Sequence, residues 1–259
     1  MESKENKNYW EENAEAWTVL SREGYDLYRN HLNTPAFFEI LPDVKGLKGI
    51  DIGCGEGYNT RLLAEKGADM TAIDISELFI KYAQMEEEKK NFGIKYSVAD
   101  GEELPFKNES FDFAAAFMSL MDIPDSEKAV KEIYRILKPG GFFQFSISHP
   151  CFATPYRKNL RNTEGTTYAL EVGKYFDKEE FIEEWIFNAA PAELRNSFPK
   201  FRIPRFPKTI SEWFNMLIKN GFSIEHVNEP RPDEDTVKKI PHLQDAQVIS
   251  YFLQIRCRK

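Results

Sequence analysis

Residues 49–57 read GIDIGCGEG, a short apolar run that ends in Gly53, Gly55 and Gly57. Three glycines at one bend give up conformational entropy, so the bend is expected to do what only glycine backbone permits. Arg61, Leu62, Leu63 and Ala64 follow in helical pattern, so the bend opens a helix whose first N–H groups are free to meet a ligand. A Gly-x-x-x-x-Gly-Lys-Ser/Thr phosphate loop is excluded, because no Lys-Ser or Lys-Thr follows. A dinucleotide turn needs a glycine three places after Gly55. That place is Tyr58, so this fingerprint fails too.

Downstream, strand and helix patterns alternate. Strands are expected over 47–52, 70–75, 94–99, 111–118 and 142–148. Helices are expected between them: 58–66, stopped by Gly67; one capped by Ser76 that carries Leu78, Tyr82 and Met85; and one striped by Ala129, Val130, Ile133 and Leu137. This alternation predicts an α/β fold with a parallel sheet, right-handed crossovers and a ligand crevice at the strands' carboxyl ends. Asp74 ends the second strand, 21 residues after Gly53. A carboxylate there can accept both hydroxyls of a ribose; the competing reading is a cap for the next helix. Asp100, followed by Gly101, ends the third strand and faces the same crevice, where it can take an exocyclic adenine amine. No cluster of cations for pyrophosphate lies near the bend. The predicted ligand carries adenine and ribose but no phosphate.

The chain reads as one domain in four parts: a helical cover over 1–45, a cofactor-binding core over 46–149, a substrate-cap insertion over 150–207, and a final helix with a strand pair over 208–259. In the cover, Trp10, Ala14 and Trp17 share a helix face. The insertion holds six prolines and the stretch DKEEFIEEWIF, read as an amphipathic helix packed on the domain. Its Tyr156, Tyr168, Tyr175, Phe181 and Trp185 offer apolar surface, and Glu180, Glu183 and Glu184 would suit a cationic acceptor. In the last part TISE (209–212) is a capping box, and Ile210, Trp213, Phe214, Leu217 and Ile218 form an apolar stripe.

At 259 residues with a formal charge of -8, the chain can bury a full core and is unsuited to generic nucleic-acid binding. The contrary stretch is RNSFPKFRIPRFPK (195–208), with five cations and three phenylalanines. Cys54, Cys151 and Cys257 suit free thiols in the cytoplasm. No secretory signal or membrane span is expected, and no His/Cys spacing suggests a metal.

GIDIGCGEG, AIDIS (72–76), VADGEELPFKNESFDFAAAF (98–117) and EIYRILKPGGFFQFS (132–146) resemble, in order and spacing, the motifs of class I S-adenosylmethionine-dependent methyltransferases. The similarity is to the small-molecule branch typified by enzymes of ubiquinone and menaquinone biosynthesis. It implies a Rossmann-like, seven-stranded, mostly parallel sheet with helices on both faces and the last strand antiparallel. It also implies S-adenosylmethionine as cofactor. Gly53, Cys54 and Gly55 would meet its methionine part, with Asp51 near the amino group; Asp74 would hold the ribose and Ile75 pack on the adenine. Asp100 and Gly101 would read the adenine edge, and Phe117 and Met118 would line the entrance to the acceptor. By the same resemblance Arg29 would hold the cofactor carboxylate; otherwise it is a surface cation.

A sulfonium methyl is already activated, so orientation and exclusion of water supply much of the acceleration. A base is needed only for an acceptor that keeps its proton. His149, in SISHPC just past the fifth strand, is the candidate base, against the alternative of a turn histidine bonded to backbone. The expected function is methyl transfer to a small molecule. RNA or protein methylation and a non-catalytic cofactor-binding module are the alternatives, and oligomeric state is left open.

Overall fold

The computed structural model describes residues 1–259. Five strands, joined by helices except between the third and fourth, pair in parallel: β1 (Lys48–Ile52), β2 (Asp69–Asp74), β3 (Lys95–Val98), β4 (Phe111–Phe117) and β5 (Leu137–Ser148). The seven-stranded sheet is completed by β10 (Ser223–Asn228) and β11 (Phe252–Arg258), in the order β10-β11-β5-β4-β1-β2-β3. β11 runs antiparallel to both neighbours, so the last strand reverses as expected. The order turns back between β1 and β4, which opens a crevice at their carboxyl ends.

The sheet is apolar on both faces because helices cover both. On one side α5 (Ser126–Ile136) and α7 (Ile210–Lys219) bury Val130, Ile133, Trp213 and Leu217 against Ile50, Phe143 and Ile255. On the other, α2 (Thr34–Glu39), α3 (Tyr58–Glu65) and α4 (Glu77–Lys90) bury Phe37, Leu63 and Ile80 against Met70, Ala72 and Phe113. The caps are those expected: Ser76 accepts from Phe79 N–H, and Thr209 with Glu212 forms a full capping box. Met216 replaces Ile218 on the buried face of α7, and Ile218 is exposed.

The insertion differs from its expectation. It forms two hairpins, β6 (Tyr156–Arg161) with β7 (Thr167–Gly173), and β8 (Phe181–Trp185) with β9 (Phe201–Arg205). The supposed helix in DKEEFIEEWIF is therefore strand β8. Pairing Trp185 opposite Phe201 and Glu183 opposite Ile203 supplies partners that a helix read from periodicity ignores. The long α1 (Ser3–Arg22) packs on this hairpin, with Ala16, Leu20, Phe187, Phe201 and Ile203 in one small core. Trp17 sits at its centre, its ring 4.8–5.4 Å from those of Phe201, Phe187 and Trp185. Cover and insertion are thus one cap over the carboxyl edge of the sheet.

Candidate cofactor and acceptor site

Beneath the cap lies a continuous cavity of about 890 Å³. Its deep end is the glycine bend. Gly53 and Cys54 N–H both donate to Ile73 O at 2.9 Å, which turns the chain sharply off β1. Gly53 has φ +72°, and a Cβ there would meet Ser119 Cβ at 2.4 Å. Gly55 has φ +55° with nothing within 4 Å of a Cβ, so its missing side chain leaves open space beside the cavity. One residue is thus excluded by contact, the other by the room it leaves.

Asp74 ties this bend to β2. Its Oδ2 accepts Gly55 N–H at 2.8 Å and its Oδ1 accepts Ser76 N–H at 2.9 Å, so it serves both the bend and the start of α4. Burial raises its pKa to about 6, against the pull of those two N–H groups. Ile75, Asp100 and Gly101 stand on the same wall. Asp100 Oδ1 accepts Glu102 N–H at 2.9 Å, and its Oδ2 accepts the hydroxyl of Ser3 from α1. Phe117 and Met118 close the far side, Met118 in the left-handed region at φ 55°. Such strain in a non-glycine residue beside a cavity is a mark of functional positions.

Arg29 also stands on the wall, at the start of a π-helical turn (Arg29–Asn33), its guanidinium 4.1 Å from the centroid of the Tyr58 ring. It is one of three arginines around Glu56: Arg22 Nε and Arg61 Nη2 lie 3.0 and 2.9 Å from Oε2, while Arg29 Nη1 lies 3.9 Å from Oε1. Arg29 is therefore an anchored cation, not a loose surface one. Sequence reading missed Glu56, whose place inside the glycine run was its only signal.

Two expected residues lie elsewhere. Asp51 does not line the cavity; it is buried under the bend, where its Oδ2 accepts the Thr60 hydroxyl at 2.5 Å and its Oδ1 has no partner. Burial raises its pKa to about 7 despite Thr60, with Asp74 adding to the rise. His149 is absent from the wall as well, although Ser148 and Pro150 are on it. Successive residues of extended chain face opposite sides, so His149 turns away from them. Its Nδ1 accepts Cys151 N–H at 3.2 Å and its Nε2 lies 2.6 Å from Glu229 Oε1, which occupies both ring nitrogens. Its pKa is lowered by burial, with Glu229 pulling the other way. The base expected at His149 is thus corrected to a turn histidine.

The outer end of the cavity belongs to the cap. Trp10, Trp17, Trp185, Phe187, Phe206 and Trp213 make it aromatic. Among them stands a charge cluster: Arg205 Nη1 donates to Asp122 Oδ1 at 2.9 Å and its Nε donates to Glu183 Oε2 at 2.7 Å. Asp122 carried no signal beyond its place just past β4. In the supposed basic stretch, Arg205 is thus turned inward, Arg202 faces Glu12 and Glu184 at 3.9 and 3.8 Å, and Lys208 lines the cavity. Phe201 and Phe206 are buried. Arg205, Lys208 and the phenylalanines thus build the cap, while the exposed Arg202 is balanced by carboxylates. Of the other aromatic residues expected to form the acceptor surface, Tyr156 and Tyr168 are exposed, and the Tyr175 hydroxyl accepts Ile210 N–H at 2.9 Å away from the cavity wall.

Residues 50–145 match the family model described as Methyltransferase domain. A crystal structure of an S-adenosylmethionine-dependent methyltransferase from Mesorhizobium loti superposes with a TM-score of 0.71 at 28% identity, over 87% of this chain and 96% of that one. Residues 50–145 thus match a methyltransferase domain, and the fold around them resembles that of a class I S-adenosylmethionine-dependent enzyme. Its core is also similar to the ubiquinone biosynthesis O-methyltransferase of Coxiella burnetii, 33% identical over 45% of this chain and 51% of that protein. The ubiquinone/menaquinone biosynthesis C-methyltransferase of Rickettsia felis is 37% identical over 36% of this chain and 41% of that protein. The chain thus spans about half the length, or less, of these curated relatives. The cofactor of the methyltransferase domain is S-adenosylmethionine, and the residues fit it. Asp74 and Asp100 stand on one wall, the space beside Gly55 admits a ligand, and the nearby arginines converge on Glu56.

Proposed function

We propose that this protein methylates a small-molecule acceptor enclosed between the glycine bend and the cap. The observation that carries this reading is the single cavity of about 890 Å³ that joins the two. It falls in the size range of small-molecule sites, with room for cofactor and acceptor side by side. In this reading Asp74 holds the ribose, Ile75 packs on the adenine, and Asp100 with Gly101 reads the adenine edge. Gly53, Cys54 and Gly55 meet the methionine part, Arg29 takes its carboxylate, and Asp51 acts from below by holding α3 to the bend through Thr60. Phe117 and Met118 separate the cofactor from the acceptor.

S-adenosylmethionine, when bound, supplies a methyl group on a positively charged sulfur. The protein orients an acceptor lone pair toward it and keeps water out, which can contribute about 7–11 kcal/mol in favourable cases. The aromatic cap supplies both functions.

Of the five cations in 195–208, Arg205 and Lys208 line the cavity and Arg202 faces two carboxylates, which weighs against RNA as the acceptor. No helix is long and apolar enough to cross a membrane, and three cysteines without disulfides suit the cytoplasm, where we place the protein. Incubation with methyl-labelled S-adenosylmethionine and a fractionated host extract tests the reading: label is expected in the small-molecule fraction. Label confined to RNA or protein refutes it.

A further inference from the structure

The cap brings to the cavity a carboxylate with one oxygen fastened and the other uncommitted. Asp122 ends a single 3₁₀ turn (Leu120–Asp122) directly after Ser119, the residue that touches Gly53. One short turn therefore links it to the bend, while its side chain joins the charge cluster of the cap. It is only 5% exposed, yet belongs to the cavity wall. Arg205 fixes its Oδ1 at 2.9 Å, while its Oδ2 takes no hydrogen bond from the protein. The groups facing it come from three elements. Arg205 on β9 and Glu183 on β8 are charged; Asn6 on α1 is neutral and donates its amide to Asp122 O at 3.0 Å.

The charges also describe the acceptor. Asp122 and Glu183 are held by Arg205, Lys208 stands on the same wall, and Glu184 faces Arg202 at 3.8 Å, so the carboxylates at this end already have cations and have little to offer a cationic amine. Six aromatic rings around it suit a flat, apolar ring. A carboxylate oxygen left open on a cavity wall keeps its lone pairs free to accept a hydrogen bond from a ligand.

We infer that Asp122 is a catalytic residue that accepts the proton of a ring hydroxyl, and that the acceptor is a neutral phenol or enol methylated on oxygen. This rests on the methyl-transfer reading above. The acceptor's O–H bond breaks with its electron pair left on oxygen and its proton taken by Asp122 Oδ2. An oxygen lone pair forms the new O–CH₃ bond, and the pair of the broken S–CH₃ bond stays on the donor's sulfur, which passes from sulfonium to thioether. Arg205 is a positioning residue: by holding Oδ1 it aims Oδ2. Burial raises the pKa of Asp122 to about 6, with Arg205 opposing and Glu183 assisting, so the carboxylate is ionised and poised at neutral pH.

The test uses para-nitrophenol, whose phenol and phenolate forms absorb differently, titrated into the full-length protein loaded with S-adenosylhomocysteine. Wild type should bind the phenol form at least about tenfold more tightly than phenolate, as a hydrogen bond to a charged carboxylate requires. In Asp122→Asn that preference should vanish or reverse, with S-adenosylhomocysteine affinity changed less than about twofold. Should the variant fold poorly, wild type alone still decides, because affinity for the phenol form should fall as pH is lowered through about 6. No binding of the phenol, an equal preference in wild type and variant, or no pH dependence overturns the inference. Failure of wild type to bind S-adenosylhomocysteine would instead overturn the cofactor reading.

Discussion

Asp74 reaches back from the end of β2 to accept the N–H of Gly55 at 2.8 Å, so the carboxylate proposed to read the ribose also fixes the glycine bend. The two readings weighed for Asp74, ribose ligand and helix cap, are therefore compatible, because each oxygen keeps a further lone pair. Asp74→Ala should weaken S-adenosylmethionine binding by at least about 100-fold. It should also cost roughly 1–3 kcal/mol of stability, since two buried N–H groups lose their acceptor. Calorimetric binding and denaturant titration check the two effects separately.

Gly55→Ala separates fold from ligand more cleanly. The added methyl meets no atom within 4 Å, so the expected cost is only the roughly 1 kcal/mol of a left-handed alanine. The same methyl narrows the cavity at the bend, and cofactor affinity should fall at least about tenfold. Gly53→Ala, which collides with Ser119, should instead destabilise the fold directly.

Asp51 sets a pH dependence of unusual sign. Its folded pKa is raised to about 7, whereas an unfolded aspartate loses its proton near about 4. Between those values the folded state holds a proton that the unfolded state has released, so this contribution to stability falls as pH rises and is lost above about 7. Asp51→Asn should flatten that fall, and its melting temperature relative to wild type should be higher in mildly alkaline than in mildly acidic buffer. Melts of ligand-free protein across pH test it; a variant equally affected at both ends contradicts it.

His149→Ala should lower stability by roughly 1–3 kcal/mol, because Cys151 N–H loses its acceptor and Glu229 its partner. Cofactor affinity should be unchanged, and any methyl transfer found should persist. A variant that folds and binds cofactor normally but transfers no methyl would restore the imidazole as base.

Much of the core was legible because local pattern and tertiary role coincide there. The glycine bend, the Ser76 cap, the Thr209 capping box and the apolar β4 each carry their own signal within a few residues. The cap was not legible, because its partners lie far apart in the chain. Trp17 meets Trp185 and Phe201 across more than half of the sequence, and β8 is a strand only because β9 pairs with it. Asp122 was invisible for the same reason, and Arg205 was read only as one cation of the 195–208 stretch until the fold placed the two 2.9 Å apart. His149 shows the reverse error, a suggestive residue type whose direction depends on strand alternation that the sequence leaves open.

The central claim is that the bend, Asp74 and Asp100 together hold S-adenosylmethionine. Calorimetric titration of the full-length protein with S-adenosylhomocysteine, repeated with Asp74→Asn and with NADH as competitor, tests it most directly. One site per chain, weakened in the variant and indifferent to NADH, is the predicted result. Displacement by NADH, or affinity unchanged in the variant, would contradict it.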